Sequence, residues 1–166
     1  MQRRFVTVFP VTENVHLIKD VGQIPYTLHK HHGYDSTIVC YQNSESYPNL
    51  DGEVEGLRIS FLTQQGRKLF QERAVLNYLK EQAKNIDVLN LYHLTKETIY
   101  YGLYYKKLNP KGVLYVKMDV YNEMLEQGIV YSKKPSPSDS RSATIRAEGV
   151  SEGSSTSFCI AWTDSL

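Results

Sequence analysis

The chain has 166 residues, 41% of them hydrophobic and 22% charged, with 19 Lys and Arg against 18 Asp and Glu. That length holds one domain with a core able to stand alone and is too short for two large ones. Basic residues are scattered at a net charge of +1, which argues against a nucleic-acid footprint, and two cysteines make neither a disulfide framework nor a metal cluster, which fits a reducing cytoplasm.

In chain order, "RFVTVF" is the first apolar run. It is far shorter than a secretory core or a membrane span, so the chain reads as soluble, with peripheral contact as the remaining route to a membrane. Its near-continuous apolar character suits a strand covered on both faces. A helix is expected through "VTENVHLIKDVGQ", with Ile18, Val21, Ile24 and Leu28 facing the sheet and a kink at Pro25. Gly33 supplies the helix end before a second strand, "STIVCY", and the turn-rich "YPNLDGEVEG" separates this from a third, "LRISFL". A helical pattern then runs from about Arg67 to Lys84, with Leu69, Phe70, Ala74, Leu76, Leu79 and Ala83 mostly on one side. "IDVLNLY" is the fourth strand, "TKETIYYGLYYKKL" the next helix, "NPKG" a turn and "VLYVKM" the fifth strand. Alternation of this kind predicts an α/β fold, a three-layer Rossmann-like parallel sheet with right-handed crossovers.

The periodic pattern stops near Tyr131. Beyond it, "SKKPSPSDSRSATIRAEGVSEGSSTS" is rich in Ser, Pro, Gly and charge and buries too little apolar surface to offset chain entropy. The expected organisation is one domain over residues 1–131 and a disordered or non-native tail over 132–166, in which "FCIAW" is an isolated apolar stretch.

Ligands of such sheets bind outside the carboxyl ends of the strands, here Val11 to His16, Tyr41 to Asn43, Leu62 to Gln65, Tyr92 to Thr95 and Asp119 to Asn122. In the first loop, Thr12 or Asn14 either caps the following helix or contacts a ligand. Neither GxGxxG nor GxxxxGK[ST] occurs, which disfavours dinucleotide-dependent oxidoreduction and P-loop phosphoryl transfer and leaves no cofactor to expect. His93, beside Tyr92, either orders its loop or turns an imidazole toward a sugar hydroxyl or anion. Asp119 is a general base, a hydroxyl-orienting acceptor or a helix cap. His29, His31 and His32 lie near a helix end, where cationic side chains suit the dipole, so no metal site is predicted. Tyr100, Tyr101, Tyr104 and Tyr105 fall at adjacent helical positions and read as packing residues.

Two stretches, "NVHLIKDVGQIPYTLHKHHGYDSTIV" and "NIDVLNLYHLTKETIYYGLYYKKLNPKGVLYVKMDV", resemble the N-terminal domain of bacterial GT-B glycosyltransferases, the retaining group labelled family 4 that serves capsule and exopolysaccharide assembly. The resemblance spans about Phe5 to Gln127. It rests on "GYDST" where relatives have a "GHEV"-like phrase, and on "IDVLNLYHL" where they have a "DVIHAHH"-like one. It implies half of a GT-B fold, the half that mainly receives a glycan or lipid-linked acceptor, whereas a second Rossmann-like domain holds the nucleotide sugar. It further implies Asn14, His16 and Lys19 as substrate contacts, although Lys19 also reads as a solvated surface charge; their places at strand ends make Asp119 and His93 the candidate catalytic residues and Tyr92 a further candidate substrate contact. Relatives carry glycines in the first loop, where this chain has Thr12, Glu13 and Asn14, and a histidine after the fifth strand, where it has Asp119. Nothing after Gln127 resembles the donor domain, so the expectation is a truncated chain, inactive in isolation. The alternative is a stand-alone domain that binds a small ligand or a protein in the same crevice; a nucleotide-sugar epimerase or reductase remnant is disfavoured by the missing glycines.

Overall fold

The first strand, β1 (Arg4–Val8), is buried from Phe5 onward, as a continuous apolar run in the middle of a sheet must be. β2 (Asp35–Cys40) and β4 (Val88–Tyr92) lie parallel on its two sides, with Val6 opposite Thr37 and Leu89. β3 (Arg58–Phe61) and β5 (Val113–Val120) extend the sheet outward, again in parallel. A sixth strand, β6 (Thr156–Trp162), runs antiparallel to β5, so the order is β3-β2-β1-β4-β5-β6. This computed structural model describes residues 2–63, 71–120 and 156–162.

Alternation along the strands divides the core. Val6, Val8, Val39, Leu89, Leu91, Leu114 and Val116 face one way, under α2 (Gln71–Gln82) and α3 (Lys96–Leu108). Ile38, Cys40 and Tyr92 face the other way, with Leu17 and with Val21 of α1 (Asp20–His32). The result is the predicted three-layer Rossmann-like α/β sheet, with crossovers on both faces. Helix ends follow their sequence signals. Gly33 closes α1 in the left-handed region at φ 67°, its N–H donating to Leu28 O, and the hydroxyl of Thr95 accepts the Thr98 N–H at 3.3 Å to cap α3.

Three features differ from the sequence reading. "TSFCIAW" forms β6, since a run without charge, Gly or Pro that is rich in β-favouring residues can extend a sheet edge; the rest of 132–166 lies outside the described residues, as do Leu69 and Phe70. Pairing with β6 also carries β5 two residues past the expected end, so the backbone of Asp119 stands inside the ladder opposite Ser157 rather than in a loop or at a helix cap. Finally, the expected helix over 11–23 is a 3-10 turn, Asn14–His16, followed by α1 from Asp20. Leu17 is therefore the inward residue and Ile18 is 49% exposed.

Gly22 explains the late start of α1. A Cβ at this position would collide with the carbonyl of Leu17 and stand 2.5 Å from its Cα, so the 3-10 turn can fold back on the helix only where there is no side chain. Gly22→Ala is expected to destabilise the protein by about 2 kcal/mol or more, the cost of overpacking against a backbone that cannot yield. Urea unfolding of the two proteins measures this; equal midpoints would contradict the packing argument.

Candidate functional site at the carboxyl ends of β1 and β4

The chain leaves β1 toward β2 on one side and returns to β4 on the other. In open α/β sheets that divergence opens a crevice at the strand ends. Its walls are the connection from β1 to α1, the start of the β4–α3 connection and the end of β5.

The first connection is held by its own polar groups. The Asn43 amide donates to the carbonyls of Pro10 at 2.8 Å, Tyr41 at 3.0 Å and Thr12 at 3.1 Å, and the Tyr47 hydroxyl donates to Thr12 O at 3.0 Å. Asn14 reaches across to the same loop: Asn49 N–H donates to its Oδ1 at 3.1 Å, Asn49 Nδ2 donates to its carbonyl at 3.0 Å, and its own N–H donates to Ser44 Oγ at 3.0 Å. Asn14 thus joins two loops rather than capping α1. The Thr12 hydroxyl donates to Phe9 O at 2.6 Å, and the N-cap position of α1 belongs to Lys19, which is exposed and makes no side-chain capping bond. The N–H groups of Phe9, Thr12, Glu13, His16, Leu17 and Lys19 all find acceptors within the protein. A phosphate cradle presents free N–H groups to its ligand; this connection has committed most of its own.

Side chains therefore shape the crevice. Half-buried Phe9 is the hub, its ring centroid 5.4 Å from that of His16, 5.6 Å from Tyr92 and 5.9 Å from His93. These are edge and tilted arrangements of the kind aromatic rings prefer. His16 Nδ1 accepts the Glu13 N–H at 2.8 Å, which fixes the ring and assigns the proton of a neutral imidazole to Nε2. Tyr92 is buried, and its hydroxyl donates to Asp20 O at 2.8 Å, so its ring rather than its hydroxyl faces the other aromatics. His93 is exposed and has φ 62°, the left-handed region that a non-glycine residue enters at a cost. It is held there from both sides, its N–H donating to Lys117 O at 2.8 Å and its carbonyl accepting the Thr98 hydroxyl at 2.7 Å.

Lys117 is a residue that sequence reasoning missed. It reads as an ordinary strand position in "VLYVKM", yet it is buried within β5 where the pairing with β4 ends, opposite Tyr92, and is ion-paired with Asp20 at the first position of α1, with its ammonium 6.0 Å from the centre of the Tyr92 ring. Its signal was a lysine following alternating apolar residues near a strand's carboxyl end. Around the crevice the surface is apolar, with Val11, Val15, Ile18 and Leu94 each about half exposed (45–58%). Asn14, His16, Tyr92 and His93 thus gather at one edge, Lys19 sits beside them on the approach to α1, and the backbone of Asp119 lies two residues beyond Lys117 on β5. Among the described residues no cluster of His, Cys, Asp and Glu is arranged to hold a metal ion, and His29 donates locally from Nδ1 to Tyr34 O at 2.9 Å. A separate groove of about 640 Å³ lies between α2 and α3, lined by Arg73, Leu76, Lys96, Ile99, Tyr100 and Leu103, and none of the predicted site residues lines it.

Two outcomes follow from this geometry. His93→Gly removes the left-handed cost and adds unfolded-chain entropy, terms of about 1 kcal/mol each and opposite in sign, so its thermal midpoint should stay near wild type while His93→Val falls clearly below it. Cys40, fully buried beneath the first connection, has its thiol pushed by burial from an ordinary 9.0 up to about 11. The neutral thiol is thus favoured by folding, a contribution present below pH 9 and lost as pH rises toward 11. In a Cys159→Ser background, folded protein should therefore resist thiol-reactive disulfide reagents at pH 8, and urea stability should decline between pH 9 and 11; rapid labelling of Cys40 at pH 8 would contradict the burial.

No protein-family model and no curated protein matches the sequence. Among solved structures, similarity is found to a protein described as a UDP-N-acetylglucosamine 2-epimerase from Listeria monocytogenes, at 16% identity and TM-score 0.42 over 69% of this chain and 30% of that one. It is also found to the C-terminal domain of a hydrogenase from Pyrococcus furiosus, at 14% identity and TM-score 0.43 over 72% of this chain and 91% of that domain. The chain thus spans less than a third of the epimerase's length. At these identities and scores neither likeness carries an argument about chemistry, and what stands is the Rossmann-like α/β fold that the strand order itself displays.

Proposed function

We propose that the crevice between β1 and β4 is the acceptor side of a glycosyltransferase cleft, binding a glycan or a lipid-linked sugar. The convergence of the His16, Tyr92 and His93 rings on Phe9 carries this reading. Pyranose rings present apolar C–H faces that pack on aromatics and hydroxyls that bond to imidazoles, and this edge offers both. His16 Nε2 and the His93 ring are the hydroxyl partners, and Tyr92 contributes its ring. Asp119 is the base or orienting carboxylate for the attacking hydroxyl. Lys19, exposed at the approach, steers an anionic carrier. Asn14 acts on the acceptor through the loop that it holds.

Transfer requires the anomeric carbon, the acceptor hydroxyl and the departing phosphate to be aligned with water excluded. In this reading a second Rossmann-like unit supplies the donor contacts and closes over the apolar rim of Val11, Val15, Ile18 and Leu94. The chain alone then has no turnover and no appreciable affinity for nucleotide sugars, in keeping with a first connection whose backbone donors are already used. Those same committed donors favour a second reading, a stand-alone domain that uses the crevice for a protein partner. Peripheral membrane contact belongs to the lipid-linked variant; among the described residues no helix is long and apolar enough to cross a membrane.

A glycan array probed with the purified chain, followed by calorimetry on the best ligand, separates these readings. Oligosaccharide binding weakened about tenfold or more by His93→Ala and by Asp119→Asn, with thermal midpoints unchanged, is expected. Equal loss of binding and stability would return both residues to structural roles. Micromolar binding of a nucleotide sugar at the first connection would refute the acceptor assignment.

A further inference from the structure

The ion pair between Lys117 and Asp20 is lopsided. The lysine side chain is 10% exposed and the aspartate side chain 56% exposed. A buried ammonium is costly unless an anion sits on it, whereas a carboxylate that already stands half in water regains its hydration cheaply. Strand pairing with Tyr92 fixes the lysine in place. The cation is therefore a permanent feature of the crevice, and its counter-ion is exchangeable.

We propose that Lys117 is an oxyanion subsite of the crevice and that Asp20 is its resting occupant, displaced when a ligand brings a carboxylate or a phosphate monoester. This deepens the acceptor reading, on which it rests for the identity of the crevice, by making the acceptor a charged one. The surroundings fit the exchange. The Tyr92 hydroxyl holds the backbone carbonyl of Asp20 at 2.8 Å, so the start of α1 stays in place when the carboxylate swings out. His93 is joined to the same strand position through its N–H on Lys117 O, and His16 faces it across Phe9, so an anion on Lys117 lies beside the groups assigned to the sugar. No bond is made or broken; one oxyanion replaces another on the ammonium.

The arrangement has a quantitative consequence. A site occupied by an internal competitor more than nine-tenths of the time shows an apparent affinity lowered about tenfold or more, and removing the competitor restores it. Inorganic phosphate and acetate, titrated separately into the full-length chain and followed by amide NMR at Asp20, Tyr92 and His93, test this and distinguish the two oxyanion classes. Asp20→Asn should tighten binding of at least one of them about tenfold or more over wild type. Adding Lys117→Met should abolish the gain, and Lys117→Arg should retain it. Glu81→Gln, at an exposed site on α2, controls for net charge without touching the crevice and keeps the test decisive should Lys117→Met fail to fold. Unchanged affinity in Asp20→Asn, an equal gain in Glu81→Gln, or a gain that survives loss of Lys117 would overturn the proposal. Uncharged oligosaccharide binding separates the two readings: if it is absent while phosphate or acetate binding responds to Asp20, the anion subsite stands without the glycosyltransferase assignment.

Discussion

One side chain, Asn43, fixes the approach to the crevice. Its amide serves carbonyls on three residues of two connections, and with Tyr47 and the Asn14–Asn49 exchange it gives the chain after β1 a defined course without glycine. Each of these bonds adds a modest net stabilisation, and together they hold the loop in one course. Phe9 and His16 are positioned by that course, and so is the face that they offer Tyr92 and His93. A connection stabilised in this way has few backbone N–H groups left for a diphosphate, so in the proposed reading recognition passes from main chain to side chains.

Recognition by side chains places the burden on groups whose charge and direction are set far away in sequence. Lys117 owes its burial to β5 and its partner to α1, and His93 owes its left-handed backbone to hydrogen bonds from β5 and α3. Both residues therefore report on the packing of the whole carboxyl edge. A disturbance of α1, such as crowding at Gly22, would act on Leu17, packed against the sheet, and on Asp20 at the start of the same helix.

How much of this was legible depended on the range of each interaction. Strand runs and the helix end at Gly33 are local signals, legible from a few adjacent residues. The start of α1 was misjudged because Leu17 and Ile18 fit a helical pattern equally well, and only the close approach at Gly22 decides between them. Strand β6 escaped because its apolar residues gain meaning only beside β5. At the site, the rings of His16, Tyr92 and His93 meet around Phe9, whereas the backbone of Asp119 lies within the β5–β6 ladder. Asn43, Asn49 and Lys117 stayed hidden because their roles rest on partners in other parts of the chain.

The place of β1 also bears on how the molecule is made. β1 precedes the other described strands in the chain yet stands inside the sheet, and it acquires its second neighbour only when β4 has been added. The bond from Asn90 to Thr7, at 3.1 Å and 83 residues apart, marks that closure. Until then an apolar ribbon with one open edge waits on the growing chain, the condition under which strands recruit wrong partners. Long-range pairing of this kind also slows folding. The nascent protein is therefore most exposed to misassociation between the emergence of β2 and that of β4, and a stalled or shortened product ending in that interval would present a buried, apolar strand with one edge unpaired.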